Sequence, residues 1–295
     1  MPRRLIVLVI ALLSFPATAH AAWFPAVPID GPNNDVISVG NVDVARDGHG
    51  AVAYLRRDGG EAHAFIARLV NGTWWGPERV DPGLGAATEV QVAVGDGHRI
   101  AVAWIAGGMV YANVALEGNG PSALTGPVAI GGPDARSLDI DLGVNGAAYA
   151  IWEQGGDVRA ARLQDATWSG VAQPLDVDPG LEAGTGADRP KVAVSAEGYA
   201  VATWGDRTSG GTRVWGRRIT GLNLSVAPQL LTLPGQGNSD SPDIDIEEDG
   251  SFAWSSSGRT STASRARSGA ASSGRCSRRP SRSTAGWGPT SRAWT

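Results

Sequence analysis

Residues 92–104 read Val92-Ala93-Val94-Gly95-Asp96-Gly97-His98-Arg99-Ile100-Ala101-Val102-Ala103-Trp104. Two apolar segments flank an Asp-Gly pair, and this arrangement predicts a β-hairpin because glycine takes the positive φ of a tight turn. The same pattern, in which the second segment ends in an aromatic residue, recurs along the chain. Its aromatic ends are Tyr54, Trp104, Trp152, Trp204 and Trp254, which lie 50, 48, 52 and 50 residues apart. This spacing indicates five copies of one unit of about fifty residues.

Each unit continues beyond its hairpin with two more strand-like segments. The third segments are residues 67–69, 112–114, 161–163 and 217–219. The fourth segments, several of which follow a Trp or Gly-Pro signal, are residues 75–80, 126–130, 168–175 and 226–231. Four short antiparallel strands in about fifty residues are typical of a β-propeller blade. We therefore predict an all-β fold, a β-propeller with four full four-stranded blades and a partial fifth.

Residues 23–254 resemble exported bacterial β-propeller repeat proteins of the sialidase-like and TolB-like kind. The resemblance rests on the blade rhythm. The Ser-x-Asp-x-Gly-x-x-Trp box of sialidases is not present in clean form, since its nearest match, Ser195-Ala196-Glu197-Gly198, departs at the acid and at its spacing. The resemblance implies a rigid ring whose loops on one face hold a glycan or protein ligand.

The amino terminus has the three parts of a secretory signal peptide. Arg3 and Arg4 precede an apolar run at residues 5–15, and small residues follow up to Ala22. We expect residues 1–22 to be removed and the mature protein to be secreted, periplasmic or at the cell surface. The apolar run is too short to span a bilayer, so no transmembrane segment is expected. Residues 23–29 have the pattern of a fourth strand that completes the last blade and removes an open sheet edge.

Charge is unevenly distributed along the chain. The formal net charge is -4, but residues 1–254 carry 17 basic against 29 acidic groups. An acidic body cannot neutralise phosphates, so a nucleic-acid partner is not expected. The content of 41 Gly and 18 Pro is turn-rich and argues against a helical bundle. We expect a monomer.

The composition changes abruptly after Trp254. Residues 255–295 contain 12 Ser, 8 Arg and 5 Thr but no Val, Leu, Ile, Phe or Tyr, which predicts a disordered tail. One interpretation is a shifted reading frame, because the change falls inside the second strand of a blade. A second is a genuine Ser/Arg-rich tail that binds anionic polymers. A third is that the tail adds a strand and closes a five-bladed ring.

Polar side chains follow one alternating face of the leading strands, which are innermost in a propeller. The carboxylates among them that we consider as metal ligands are Asp139, Asp141, Asp243 and Asp245. Carboxylates gathered around an axial channel could hold Ca²⁺ through oxygen ligands. The alternative is a water-lined channel in which Lys191 offsets part of the negative charge.

Five further residues are candidates for ligand contact. His49 and His98 follow Asp-Gly pairs in successive units, so we expect both on one rim of the ring. Trp74, Trp168 and Trp215 lie outside the regular aromatic positions and could present a flat ring to a sugar. The alternative for the histidines is that they are polar surface residues of the turns. The alternative for the indoles is that they pack in the core or at its edge.

The sequence contains none of the common nucleophile, phosphate-loop or zinc-hydrolase motifs, and we assign no catalytic residue. The function predicted from sequence is accordingly a binding scaffold without catalytic activity and without a cofactor. The alternative from another class is a sialidase-like glycoside hydrolase or another glycan-processing enzyme. A further possibility is a broken gene whose product does not fold.

Overall fold

The computed structural model describes residues 27–259 except for 116–123, 171–172, 177–181, 209, 225, 233–237 and 248–249, and within 252–259 it describes the backbone. The expected signal peptide (1–22), the first residues of the expected closing strand (23–26) and the tail beyond Arg259 lie outside the described residues. The predicted domain limits at 22 and 254 stay predictions, but β18 continues through position 254 to Arg259, so residues 255–259 of the expected tail belong to a strand.

The described residues form eighteen β-strands in five antiparallel sheets, which we number as blades in chain order. Blade 1 consists of β1 (Val36–Val44), β2 (Gly50–Asp58), β3 (Glu61–Val70) and β4 (Thr73–Arg79). Blade 2 consists of β5 (Ala87–Gly95), β6 (Arg99–Ala106), β7 (Met109–Ala115) and β8 (Val128–Ala129). Blade 3 consists of β9 (Ala135–Leu142), β10 (Ala148–Gln154), β11 (Asp157–Gln164) and β12 (Thr167–Gly170). Blade 4 consists of β13 (Lys191–Val194), β14 (Tyr199–Thr208), β15 (Gly211–Thr220) and β16 (Gln229–Leu230), and blade 5 of β17 (Asn238–Ile246) and β18 (Phe252–Arg259).

Within every blade the strands pair in the order in which they occur along the chain. The first strands of successive blades contact one another in sequence, from β1 to β5, β9, β13 and β17. Up-and-down blades whose first strands gather around one axis form a β-propeller. The predicted fold class is confirmed, with four full blades and a partial fifth.

The hydrophobic core lies between the blades. The recurrent aromatic residues fill these layers, since Trp104 is completely buried and Trp152 and Trp204 are 3% and 1% exposed. Small residues on the facing sheet, such as Ala51 and Ala53 of β2, let neighbouring blades approach closely. The periodic indoles therefore have a packing role in the structure.

The hairpin turns and the outer strands differ in how well the sequence predicts them. The turn glycines Gly48, Gly97, Gly146 and Gly198 have φ of 84°, 77°, 84° and 81°, as an Asp-Gly type hairpin requires. The fourth strands of blades 2 and 4, β8 and β16, have only two residues each. Pro127 and Pro228 directly precede them and lack the N–H that would extend the ladder.

One short 3₁₀ helix, Gly186–Asp188, precedes β13. Within the described part of the chain, no helix has the length and apolar character needed to cross a membrane.

Candidate functional site

Two carboxylates of blade 3 lie side by side near the axis. Asp139 and Asp141 are two residues apart on β9, so both point to the same face and their Cα atoms are about 7 Å apart. Asp139 Oδ2 accepts a hydrogen bond from Val192 N at 2.9 Å, and Asp141 Oδ2 accepts one from Val194 N at 2.6 Å. Both carboxylates therefore contact the inner strand of blade 4.

Asp139 is paired with the single lysine of the chain. Lys191 Nζ donates to Asp139 Oδ1 at 3.3 Å, and the two side chains are 32% and 13% exposed. Burial raises the pKa of Asp139, while the positive charge of Lys191 opposes that rise. The pair is thus partly open to solvent, and the lysine favours the ionised carboxylate.

The pKa of Asp141 is also raised by its surroundings. Burial raises the pKa of this carboxyl from 3.8 to about 7, although Val194 N and Leu142 N donate hydrogen bonds to it. The negative charges of Asp43 and Asp139 raise the pKa further. Asp43 belongs to β1 of blade 1, and both β1 and β9 contact β5, the first strand of blade 2. At neutral pH, Asp141 is poised between its two protonation states.

Four charged residues lie near the ends at which the inner strands begin. We call them the mouth cluster, which consists of Glu89, Arg136, Glu153 and Arg189. Glu89 accepts hydrogen bonds from Ser137 N at 2.8 Å and Leu138 N at 3.0 Å. Ser137 has φ of 58°, a conformation that turns successive N–H groups toward one carboxylate. Arg189 Nη2 donates to Glu89 Oε2 at 3.2 Å.

The second ion pair of the mouth cluster joins Arg136 to Glu153, whose side chain is completely buried. Glu153 also accepts a hydrogen bond from Gly156 N at 2.8 Å.

The sequence analysis did not identify the mouth cluster, although part of it has a local signal. Glu89 lies two residues before Gln91 on β5, so strand alternation places both on one face, whereas Arg189 precedes β13 and has no such local signal.

The four proposed calcium ligands are divided between two strands. Asp243 and Asp245 lie exposed on β17, and Asp245 Oδ1 accepts a hydrogen bond from Ile246 N at 2.9 Å. Among the residues with described positions, no three His, Cys, Asp or Glu side chains gather as a metal site requires. Calcium binding by Asp139, Asp141, Asp243 and Asp245 stays a prediction, and titration with Ca²⁺ followed by calorimetry would test it.

The two histidines meet at the rim opposite the mouth cluster, next to the hairpin turns. The ring centroids of His49 and His98 are 3.7 Å apart, and the ring planes are tilted by 49°. Asp47 Oδ2 lies 2.9 Å from His49 Nδ1. The structure thus brings the pair together, and their role in ligand binding stays a prediction.

The three candidate indoles are all partly buried. Trp74 packs against Tyr54 and Phe65 in blade 1, whereas Trp168 and Trp215 pack against the layers on either side of blade 3. The neighbouring Trp75, which the sequence did not single out, is 53% exposed. The structure therefore does not bring the three indoles together, and sugar stacking by them stays a prediction.

No family model matches the chain, and no curated protein matches it either. Solved structures with a similar fold include an α-L-arabinofuranosidase from Podospora anserina in complex with cellotriose. Its identity is 13% and its TM-score 0.40, and the alignment covers 75% of this chain and 82% of that one. An endo-arabinase from Bacteroides thetaiotaomicron has 12% identity and a TM-score of 0.40, over 70% and 84% of the two chains. The six-bladed Aleuria aurantia lectin has 10% identity and a TM-score of 0.45, over 72% and 69%.

These comparisons correct the main functional prediction. A scaffold without catalytic activity is not what most of these structures are, since two α-L-arabinofuranosidases and an endo-arabinase stand among them beside the lectin, and at this level of similarity the likeness shows the fold alone. The sequence argument inferred no activity from the lack of short motifs. The lack of a short motif does not exclude activity, since function depends on the geometry and chemistry of a site and not on a sequence signature.

Proposed function

We propose that the protein is a glycan-processing enzyme that hydrolyses glycosidic bonds at Asp139 and Asp141. The observation that carries the proposal is a pair of carboxylates two residues apart on one face of β9, with Cα atoms about 7 Å apart and different environments. Burial raises the pKa of both groups, that of Asp141 to about 7, and Asp139 alone is paired with the ammonium group of Lys191. Glycosidases that invert the anomeric centre likewise act through two carboxyl groups, one as acid and one as base.

The two environments suggest different chemical roles. Asp141, in its protonated form, donates a proton to the glycosidic oxygen as the bond to the anomeric carbon breaks. Asp139, whose ionised form the charge of Lys191 favours against the effect of burial, accepts a proton from the water that attacks the anomeric carbon from the opposite side. Lys191 positions the base and favours its charged form. The acid must be protonated, so we expect activity to fall as the pH rises above about 7.

The mouth cluster lies along the same strand face as the two carboxylates and is the proposed entrance for the substrate. Its guanidinium groups are each paired with a glutamate, and their remaining N–H groups are donors for the hydroxyl oxygens of a glycan. We also propose that the enzyme is exported after removal of residues 1–22 and acts as a monomer on extracellular glycans. The leader pattern supports export, and amino-terminal sequencing of protein recovered from the growth medium would test it.

Reducing-end release from a panel of plant, algal and bacterial polysaccharides is the direct test. We expect Asp141→Asn and Asp139→Asn each to lower kcat/KM on a cleaved substrate by at least about 100-fold. Asp245→Asn is the matched control, because it changes the position in blade 5 that corresponds to Asp141 in blade 3. Full activity of Asp141→Asn, or binding of a glycan without any turnover, would contradict the proposal.

A further inference from the structure

A bulge in β9 comes directly before Asp139. The pairing of β9 with β10 shifts by one residue at this point, so that Ser137 and Leu138 together face one residue of β10. Ser137 has φ of 58°, which is uncommon for a residue other than glycine. Bulges change the direction of nearby side chains and are frequent beside active sites. The backbone that carries Asp139 is therefore irregular, and its position depends on contacts from outside the strand.

Charged side chains from two other blades hold the backbone of Leu138. Glu89 of β5 accepts a hydrogen bond from Leu138 N at 3.0 Å and one from Ser137 N at 2.8 Å. Arg189, which lies between the 3₁₀ helix and β13, donates through Nη2 to Leu138 O at 3.1 Å. Leu138 is completely buried, and a buried backbone group is costly without a partner. Glu89 and Arg189 thus bind both backbone groups of the residue that precedes Asp139.

The same two charged residues bind each other. Arg189 Nη2 donates to Glu89 Oε2 at 3.2 Å, and the two side chains are 39% and 28% exposed. An ion pair that is this open to solvent contributes little to stability by itself. Its hydrogen bonds to Ser137 and Leu138, however, join blades 2, 3 and 4 at one point and restrict the position of Asp139. We call Glu89 and Arg189 the backbone clamp.

The carboxylate of Asp139 lies among charges from three inner strands. Burial raises its pKa, whereas the positive charges of Lys191 and, to a lesser degree, Arg189 lower it. The negative groups nearby are Asp141 on the same strand and Glu89, which is bound to Arg189. β10 presents an apolar residue opposite Asp139. The backbone clamp therefore adds a second positive charge beside a carboxylate whose charged form is disfavoured by burial.

We infer that the backbone clamp positions Asp139 for its proposed role as the base and favours its ionised form. The inference rests on the proposed function, because that function assigns to Asp139 the proton of the attacking water. Glu89 and Arg189 act through the backbone of Leu138 and through charge, so this effect requires no contact with the substrate. Both are positioning residues. The other arginine of the mouth cluster, Arg136, is paired with Glu153 instead.

Carbon-13 NMR of the aspartate carboxyl groups tests the inference on the full chain without a substrate. The signal of Asp139 is assigned by its loss in Asp139→Asn and is then followed as a function of pH. We expect Arg189→Gln to raise the midpoint of this titration by about one pH unit, because a nearby opposite charge favours the ionised form. Arg189→Lys keeps the charge and should restore most of the shift. Arg136→Gln is the matched control and should leave the midpoint in place.

Glycan cleavage gives the second readout. We expect Arg189→Gln to lower kcat about tenfold, to change KM by less than about threefold, and to move the acid side of the pH profile upward together with the NMR midpoint. A residue that only contacted the glycan would raise KM instead, which is the result expected for Arg136→Gln.

Glu89→Asp tests the hydrogen bonds of the backbone clamp while every charge is kept. The shorter side chain withdraws the carboxylate from Leu138 N and from Arg189, so the guanidinium group is no longer held beside Leu138 O. We expect a higher midpoint for Asp139 and a lower kcat with an unchanged KM.

The two readouts separate this inference from the proposed function. A midpoint of Asp139 that is the same in Arg189→Gln as in the natural chain would overturn the inference, whether or not a glycan is cleaved. A midpoint that moves as expected in a protein that cleaves no glycan would support the backbone clamp and refute the proposed function. If Arg189→Gln does not fold, Glu89→Asp decides, and an unchanged midpoint in that variant would overturn the inference.

Discussion

At the scale of single residues, Asp141 links the pH of the solution to the stability of the protein. Its pKa is about 7 in the folded chain and near 3.8 when unfolded, so the folded state binds the proton more tightly. The stabilising effect is complete below pH 4 and is lost as the pH rises through 7. Each pH unit in that window corresponds to at most about 1.4 kcal/mol.

Urea unfolding between pH 4.5 and 8 measures this dependence. We expect Asp141→Asn to flatten the decline seen in the natural protein, while Asp245→Asn, whose side chain is exposed on β17, leaves it in place. An Asp141→Asn variant with an unaltered pH slope would contradict the assignment of the proton to this carboxyl.

The sequence predicts only part of the site at this scale. Strand alternation is enough to place Asp139 and Asp141 on one face of β9. It does not reveal that Val194 N lies 2.6 Å from Asp141, because the two residues are joined only by the packing of separate blades. The perturbed pKa depends on burial by those same blades, so no local pattern could have indicated it.

At the scale of elements, residues at the same strand position contribute differently to the free energy of unfolding in different blades. Val92 of β5 is completely buried against blade 1, whereas Val42 of β1 is 62% exposed. Val92→Ala removes two buried methyl groups and leaves a cavity, so we expect it to lower the free energy of unfolding by about 2–3 kcal/mol. Val42→Ala should change it by less than about 0.5 kcal/mol.

Chemical denaturation of the two variants gives the comparison directly. A loss of more than 1.5 kcal/mol in Val42→Ala would contradict the exposure of the Val42 side chain. Hairpins are predicted well at this scale because Asp-Gly and apolar alternation are local signals. The outer strands β8 and β16 are predicted too long, since their length depends on how far the flanking loop follows the neighbouring strand.

At the scale of the whole molecule, the fifty-residue period predicts the blades and their order. It does not predict whether the ring closes, because closure depends on contacts between the first and last blades. The acidic excess of residues 1–254 is likewise distributed over the ring, and part of it serves as acceptors for backbone amides between blades.

Within the described part of the chain, blades 1 and 5 each contact one neighbouring blade, so structure should be lost first at these two blades. Each blade contacts only its neighbours, so stability is carried by the interfaces, and blades 2 and 3 have one on each side. We expect hydrogen exchange followed by mass spectrometry to show the slowest exchange in β6 and β10. Exchange in β1 and β17 should be at least about tenfold faster and should occur through sub-global opening. Uniform protection of all inner strands would indicate instead that the two ends are joined in solution, as only a closed ring makes every blade interface equivalent.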